Sequence, residues 1–261
     1  MIIKPFISII TISYNSSLFI EQCITSVINQ DYHNYEYIII DGGSDDGTVD
    51  IIKKYQHHLS YWHSRPDRGL SHAFNMGLEH ANGQWIAFLN SDDFYSNKNV
   101  FKIVADELKK DRSSGMSDIV YGQIRLINRN NNNEFISPAI GKEWSWGKMR
   151  RYSSIPHPAT FANRNLFDQL GVFDENYSNA LDYEFFLRKG KDLKARFIPI
   201  VFAYMRTGGM SNAASVKSLK ESRDAQIKNR ADARLIVYIW WLYLRLRRAV
   251  KNGIKALCQV I

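Results

Sequence analysis

The chain has 261 residues, enough for one large domain or one domain with an extension. Hydrophobic residues make up 45%, ample for a buried core, while two cysteines, Cys23 and Cys258, exclude a disulfide framework and fit a reducing compartment. The net charge of +8 is concentrated: from Lys217 onward there are eleven basic and three acidic residues, so residues 1–216 are near neutral. That asymmetry argues against a basic globule and for a surface-seeking tail.

The opening stretch, MIIKPFISIITISYN, lacks the charged lead, long apolar block and small-residue cleavage site of a secretory signal, and reads as a first strand. Residues 18–29 space their apolar side chains as a helix does. The run YEYIII at 35–40 is strand-like and leads into DGGSDDGT. A helix is expected over 48–55, a short strand over 59–64, a helix over 69–81 and a strand over 84–90. Strands alternating with helices predict a mainly parallel sheet covered on both faces, with ligands at the carboxyl ends of its strands.

Those ends are polar. They carry Ser13-Tyr14-Asn15, Asp41-Gly42-Gly43-Ser44, Asp67-Arg68-Gly69 and Asn90-Ser91-Asp92-Asp93. In a parallel sheet the four clusters fall along one edge, the strongest sign of a site that the residues themselves give. Two adjacent carboxylates after a buried strand repel each other, and a divalent cation with oxygen ligands would relieve them. The plainer reading is that Ser91 and Asp92 cap a helix near 97–109. Asp41 beside glycines could meet a base or ribose, or simply build a turn. Neither GxGxxG nor GxxxxGK[ST] is present, which removes the usual dinucleotide fingerprint and the P-loop.

The second half is less regular. Residues 118–127 predict a strand, 128–135 (NRNNNNEF) a mobile hairpin tip, 164–170 and 182–189 helices, and 195–206 a further strand. His157, held extended between Pro156 and Pro158, is a candidate contact to a phosphate, a metal or an acceptor, or a loop anchor. Asp182 opens a helix, where it either caps or serves as a general base. The glycines of TGGMSN at 207–212 could close over a nucleotide or form a plain turn.

Taken in order, ISIITISYN, DGGSDDGT, PDRGLSHAFNMGLEHANGQWIAFLNSDD, HPATFANRNLFDQLGVFDENY and LDYEFFLR resemble the family 2 glycosyltransferases, inverting enzymes of the GT-A fold, over about residues 5–212. The likeness is strongest to bacterial enzymes of polysaccharide biosynthesis. It implies a GT-A-like α/β fold with a mostly parallel central sheet flanked by helices and a C-terminal helical extension. The domain would span 1–214, with a nucleotide-binding half of about 1–95 and an acceptor-binding half of about 96–214, followed by a helical tail over 215–261. It further implies that Ser13, Tyr14, Asn15, Asp41, Ser44, Asp67 and Ser91 bind the nucleotide of a donor, usually a UDP-sugar. Asp92, with Asp93 beside it, would hold a manganese or magnesium ion. Asp182 would deprotonate the acceptor hydroxyl, and His157 would contact acceptor or diphosphate. Two positions depart from the family pattern: Asn90 stands for the first Asp of Asp-x-Asp, and Leu181 for a Glu common before the catalytic Asp.

The tail holds ten apolar residues, LIVYIWWLYL at 235–244, followed by RLRRAVKNGIK. Ten is about half of what a spanning helix needs, so an interfacial helix on an anionic leaflet is expected. Packing on the domain or an oligomer contact is the alternative, and no nucleic-acid-binding module accompanies the charge. The family likeness adds glycan or polyprenyl-linked acceptors and a place on the cytoplasmic face of the membrane. Two rival functions stand beside it. A sugar-phosphate nucleotidyltransferase would show a Gly-rich basic loop after the first strand, where TISYNSS has none. A non-catalytic nucleotide-sugar-binding module would bind donor without turnover.

Overall fold

The computed structural model of the chain describes residues 5–111, 117–129, 131–208 and 216–258. In chain order the elements are β1 (Ile7–Ser13), α1 (Ile20–Ile28), β2 (Tyr35–Asp41), α2 (Thr48–Lys54), β3 (Tyr61–Ser64), α3 (Leu70–His80), β4 (Trp85–Asn90) and β5 (Phe94–Tyr95). Then follow α4 (Val100–Asp111), β6 (Ile119–Asn128), β7 (Asn131–Phe135), α5 (Trp146–Met149), β8 (Thr160–Asn163), α6 (Arg164–Leu170), α7 (Leu181–Lys189), β9 (Ala195–Arg206), α8 (Val216–Lys228) and α9 (Arg234–Cys258).

The sheet runs β3-β2-β1-β4-β8-β6-β9-β5, with β7 paired to β6. The first four strands are parallel, in the order 3-2-1-4. Register aligns Ser13 with Asp41 and Asp41 with Ser64, and Ile12 with Asn90, so these strand ends share one edge. Beyond β4 the sheet is mixed: β8 is antiparallel to both β4 and β6, and β6 is parallel to β9.

Strand side chains alternate between two cores, as a sheet buried on both faces requires. Ile10, Ile38, Ile40, Ile86 and Phe88 pack with Phe74 of α3 and Phe185 of α7. Ile9, Tyr37, Ile39, Trp85 and Leu89 pack on the other face with Ile24 of α1 and Phe101 of α4. In α1 the buried residues Ile20, Cys23, Ile24 and Val27 form one stripe at helical spacing. At Gly77 the α3 backbone comes so close to the sheet that a Cβ would run into Ile10.

Several expectations shift. The strand expected over 59–64 is shorter, Tyr61–Ser64, and follows a 3-10 turn at Gln56–His58. The expected hairpin tip at 128–135 is largely strand β7. Strands β5 and β8 were not anticipated. The expected domain boundary at 214/215 and the glycine-bearing stretch beyond Gly208 lie outside the described residues. Beyond that gap, α8 is bound into the domain: Glu221 accepts the backbone N–H groups of Ser178 (3.0 Å), Asn179 (2.7 Å) and Ala180 (3.0 Å), at the start of α7. Gln226 of α8 also donates to the Tyr183 hydroxyl (2.8 Å).

Candidate active site

Two cavities open on the carboxyl edge of the sheet. One, about 550 Å³, is lined by the ends of β1 and β4 and the 66–73 segment, including Tyr14, Asn15, Asp67 and Asp92. The other, about 620 Å³, lies under β6, the 139–158 segment and the start of α7, and contains His157 and Asp182. Leu70 and Asn90 line both, so the two cavities are neighbours on either side of these residues.

The first cavity is shaped by a polar frame behind its wall. Asp41 is fully buried and accepts five hydrogen bonds. Ser13 Oγ (2.8 Å) and Ser44 Oγ (2.6 Å) donate to Oδ1; Gly43 N (3.1 Å), Ser44 N (2.9 Å) and Ser64 Oγ (2.7 Å) donate to Oδ2. Five donors and no solvent leave Asp41 ordering the 42–44 loop, with neither Asp41 nor Ser44 in the cavity lining. Asn15 takes a positive φ of 46°, tolerated by asparagine, and its N–H donates to Ser44 Oγ at 2.8 Å. That turn leaves the neighbouring Tyr14 ring 64% exposed. Opposite, Asp67 Oδ1 accepts the Gly69 N–H (2.6 Å). At Gly42 a Cβ would lie 2.7 Å from Asp67 Oδ2 and 3.3 Å from Tyr14, so only glycine lets these walls approach.

The adjacent carboxylates divide their work. Asp92 lines the cavity, and Arg129 Nη1 donates to its Oδ2 at 2.9 Å. Asp93 is 1% exposed and does not reach the cavity; it accepts Asn90 Nδ2 (3.2 Å) and the Arg206 N–H (3.2 Å). Burial, and then the neighbouring Asp92 charge, push the Asp93 carboxyl well above the usual carboxylate range. Ser91 lines the cavity and donates to Ser16 Oγ at 2.8 Å. Among the described residues no three His, Cys, Asp or Glu side chains converge.

In the second cavity Asp182 sits in the first turn of α7, its side chain 14% exposed. Tyr183 N–H donates to Asp182 Oδ1 at 2.7 Å, and His157 Nδ1 is 3.7 Å from Oδ2. Burial raises the Asp182 carboxyl above its ordinary value, with His157 pulling the other way; burial lowers His157. A carboxylate held there, in a cleft and with its pKa raised by burial, is suited to taking a proton.

Residues not singled out from sequence complete the picture. Arg129 lies in an asparagine-rich turn that reads as solvated loop. Arg206 ends β9 and donates to the Asp92 carbonyl and to Gln22 Oε1. Glu221 seats the backbone before Asp182. None belongs to a motif with a chemical signature, so pattern reading had no handle on them.

Glycosyl transferase family 2 matches residues 8–181, two thirds of the chain and the whole path from β1 to the start of α7. The chain belongs to that family. It is 32% identical over 189 residues to an uncharacterised glycosyltransferase of Mycobacterium tuberculosis (strain CDC 1551 / Oshkosh), covering 70% of this chain and 68% of that one. It is 29% identical over 214 residues to a PGL/p-HBAD biosynthesis glycosyltransferase of Mycobacterium bovis (strain BCG / Pasteur 1173P2), covering 80% of each. Among solved structures, S. aureus TarS 1–349 in complex with UDP-GlcNAc superposes with a TM-score of 0.67 at 21% identity, over 84% of this chain and 64% of that chain. The mannosyltransferase PcManGT from Pyrobaculum calidifontis, in complex with GDP-Man and Mn2+, gives 0.66 at 17% identity, over 92% and 70%. At such identities the likeness is one of fold, the GT-A arrangement of a glycosyltransferase.

Proposed function

We propose that the chain is an inverting glycosyltransferase moving a sugar from a nucleoside diphosphate sugar, a UDP-sugar in our reading, to a hydroxyl of a glycan or polyprenyl-linked acceptor. The observation that carries this reading is that two cavities adjoin at Leu70 and Asn90, with Tyr14 and Asp92 in one and Asp182 in the other. Donor and acceptor would each have a chamber, and the reacting carbon would lie where they join.

Tyr14 stacks on the base, while Asn15, Ser13, Ser91 and Asp67 border the nucleoside and diphosphate. Asp41 and Ser44 act through the loop they hold. Asp182 takes the proton of the acceptor hydroxyl. The freed oxygen bonds to the anomeric carbon as the bond to the diphosphate oxygen breaks, so the nucleoside diphosphate leaves from the opposite face and configuration inverts.

A divalent cation, manganese or magnesium, fits the donor cavity in a specific way. Magnesium commonly uses one or two protein carboxylates beside substrate phosphates, and Asp92 is a carboxylate in the lining with the Asn90 amide next to it. Asp92 would hold the ion, Asp93 would support the turn from behind, and the remaining ligands would come with the donor. When bound, the cation neutralises charge growing on the leaving diphosphate.

The C-terminal helix supports a place on the cytoplasmic face of a membrane. Among the described residues no helix is long and apolar enough to cross one. Leu235, Ile239, Leu242 and Leu246 are exposed and, at 100° per residue, form one stripe of α9, widened by Tyr243 and Val250. Arg245 and Arg247 fall on opposite sides of that stripe, the arrangement that suits an anionic leaflet. Val237 faces the domain and is 2% exposed, while Trp241 lies between Arg223 (4.8 Å) and Arg245 (4.9 Å). Self-association through the same stripe is the second use it would allow.

A donor panel tests the reading: UDP-GlcNAc, UDP-glucose, UDP-galactose and GDP-mannose, each with Mn2+, Mg2+ or chelator, assayed for nucleotide release. Turnover of one donor, lost in Asp182→Asn, is expected. Binding without turnover would indicate a donor-binding module, and neither binding nor turnover would overturn the reading.

A further inference from the structure

His157 stands in the short 3-10 turn His157–Ala159 that leads into β8. Its ring packs against Phe74 and Phe88, with centroids 5.4 and 5.7 Å away. Nδ1 faces Asp182 Oδ2 at 3.7 Å. Nε2 is buried and has no hydrogen-bond partner; a small space bordering His157 is walled mainly by Ile86, Phe88, Phe167 and Phe173, with Thr160 and Asp182 its polar residues.

A neutral imidazole carries one ring proton, and the environment chooses the nitrogen. On Nε2 that proton would be buried with no acceptor within hydrogen-bond reach, a costly arrangement. On Nδ1 it faces a carboxylate oxygen. We infer that His157 is a positioning residue for the general base: protonated on Nδ1, it donates to Asp182 Oδ2 and holds the carboxylate ionised and aimed at the acceptor cavity. The inference rests on Asp182 being the base. The 3.7 Å separation is longer than a hydrogen bond, and such contacts commonly tighten when substrate binds. Oδ1 is already held by Tyr183 N–H, so the imidazole would fix the second oxygen.

Other charged and titratable groups around α7 are placed for different tasks. Lys142, Glu143 and Lys148 line the same cavity from its exposed side. Glu221 of α8 is engaged with the backbone of 178–180. The Tyr183 hydroxyl donates to the Met149 carbonyl at 2.7 Å, and Glu184 pairs with Arg188 and Lys228. Lysine ammonium groups at the rim would also favour the ionised form, but through solvent.

A hydrogen bond donated to a carboxylate favours its charged form. Removing it raises the Asp182 pKa, so the ionised, active fraction is lost at a higher pH as pH falls. Two measurements test this. In 15N-histidine-labelled protein, with the His157 signals assigned by their loss in His157→Asn, the nitrogen shifts should report a neutral ring protonated on Nδ1, the minor tautomer of free imidazole. In donor hydrolysis with whichever of UDP-GlcNAc, UDP-glucose, UDP-galactose or GDP-mannose turns over fastest, His157→Phe should lower kcat about tenfold with donor KM unchanged. Its acid limb should move up by about one pH unit. His157→Asn, whose amide N–H can take the place of Nδ1–H, should keep the wild-type limb. A ring protonated on Nε2, or an acid limb unmoved in His157→Phe, overturns the inference. If the wild-type enzyme hydrolyses no donor, the transfer reading is what fails, and the tautomer still decides the role of His157.

Discussion

Arg129 Nη1 donates to Asp92 Oδ2 at 2.9 Å, so the carboxylate proposed to hold a cation is already paired with an arginine of the same chain. Arg129 reaches it from the turn after β6, with its guanidinium 4.4 Å over the Phe19 ring. A divalent ion at Asp92 would therefore compete with an arginine for the carboxylate's charge. The pair is partly solvated and worth about 0.5–1 kcal/mol. Arg129→Gln should then bind Mn2+ roughly two- to fivefold tighter in the absence of nucleotide. Titration by electron paramagnetic resonance would read this directly, with Asp92→Asn as the control that abolishes the gain. Equal Mn2+ affinity in wild type and both variants would place the ion elsewhere.

Asp182→Asn keeps the shape of the side chain and removes its ability to accept a proton. We expect kcat to fall by about 10²- to 10⁴-fold while donor affinity stays the same, since Asp182 is outside the donor cavity. In the wild type, burial lifts the Asp182 carboxyl against the opposing effect of His157. Activity should accordingly rise with pH through a limb that lies above the pKa of a free aspartate. A limb near the pKa of a free aspartate would mean that a different, solvated group is the base.

Tyr14 is 64% exposed, so truncating it removes no core packing. If its ring is the platform for the base, Tyr14→Ala should weaken UDP binding by about 1–3 kcal/mol, the worth of one base stacked on an aromatic ring. Isothermal titration with UDP and a thermal melt separate the two effects. Undiminished UDP affinity with an unchanged melt would remove Tyr14 from the site.

The parallel half of the sheet was legible because ISIITIS, YEYIIID and WIAFLN are apolar on both faces, a pattern that buried parallel strands impose. Strands β5 and β8 were not, since two and four residues carry no periodicity and their pairing is set by β9, β4 and β6. Polar strand ends placed the cluster at Asn15, Asp67 and Asp92 correctly on one edge. The sequence could not say that Asp93 turns inward while Asp92 lines the cavity, because adjacent acids look alike until the fold separates them. Asp182 stood out through family likeness, not through spacing: a first-turn aspartate is more often just a cap. Arg129 sits among asparagines and Glu221 among the charges of α8, where each reads as an ordinary solvated residue.

Exposed Ile239 and Leu242 lie on the stripe of α9 proposed to meet lipid. Full-length protein should co-sediment with phosphatidylcholine vesicles that contain phosphatidylglycerol, more weakly with phosphatidylcholine alone, and less as salt is raised. Replacing Ile239 and Leu242 together by Asp should abolish the sedimentation without lowering the melting temperature. Concentration-dependent dimerisation lost in the same variant, with vesicle binding absent throughout, would assign the stripe to a second copy instead.

Glu221 gives the molecule an order of assembly. The backbone that leads into Asp182 ends on a carboxylate supplied about forty residues later, by a helix that follows the matched family region. A nascent chain that has already folded its sheet still presents the acceptor side with three N–H groups awaiting their acceptor. The cavity at Tyr14 and Asp92 can thus form early in synthesis, while the backbone that seats Asp182 waits for α8 to leave the ribosome. If Asp182 is the base, catalytic competence would thus wait for α8 and come just before the helix proposed to carry the enzyme to a surface.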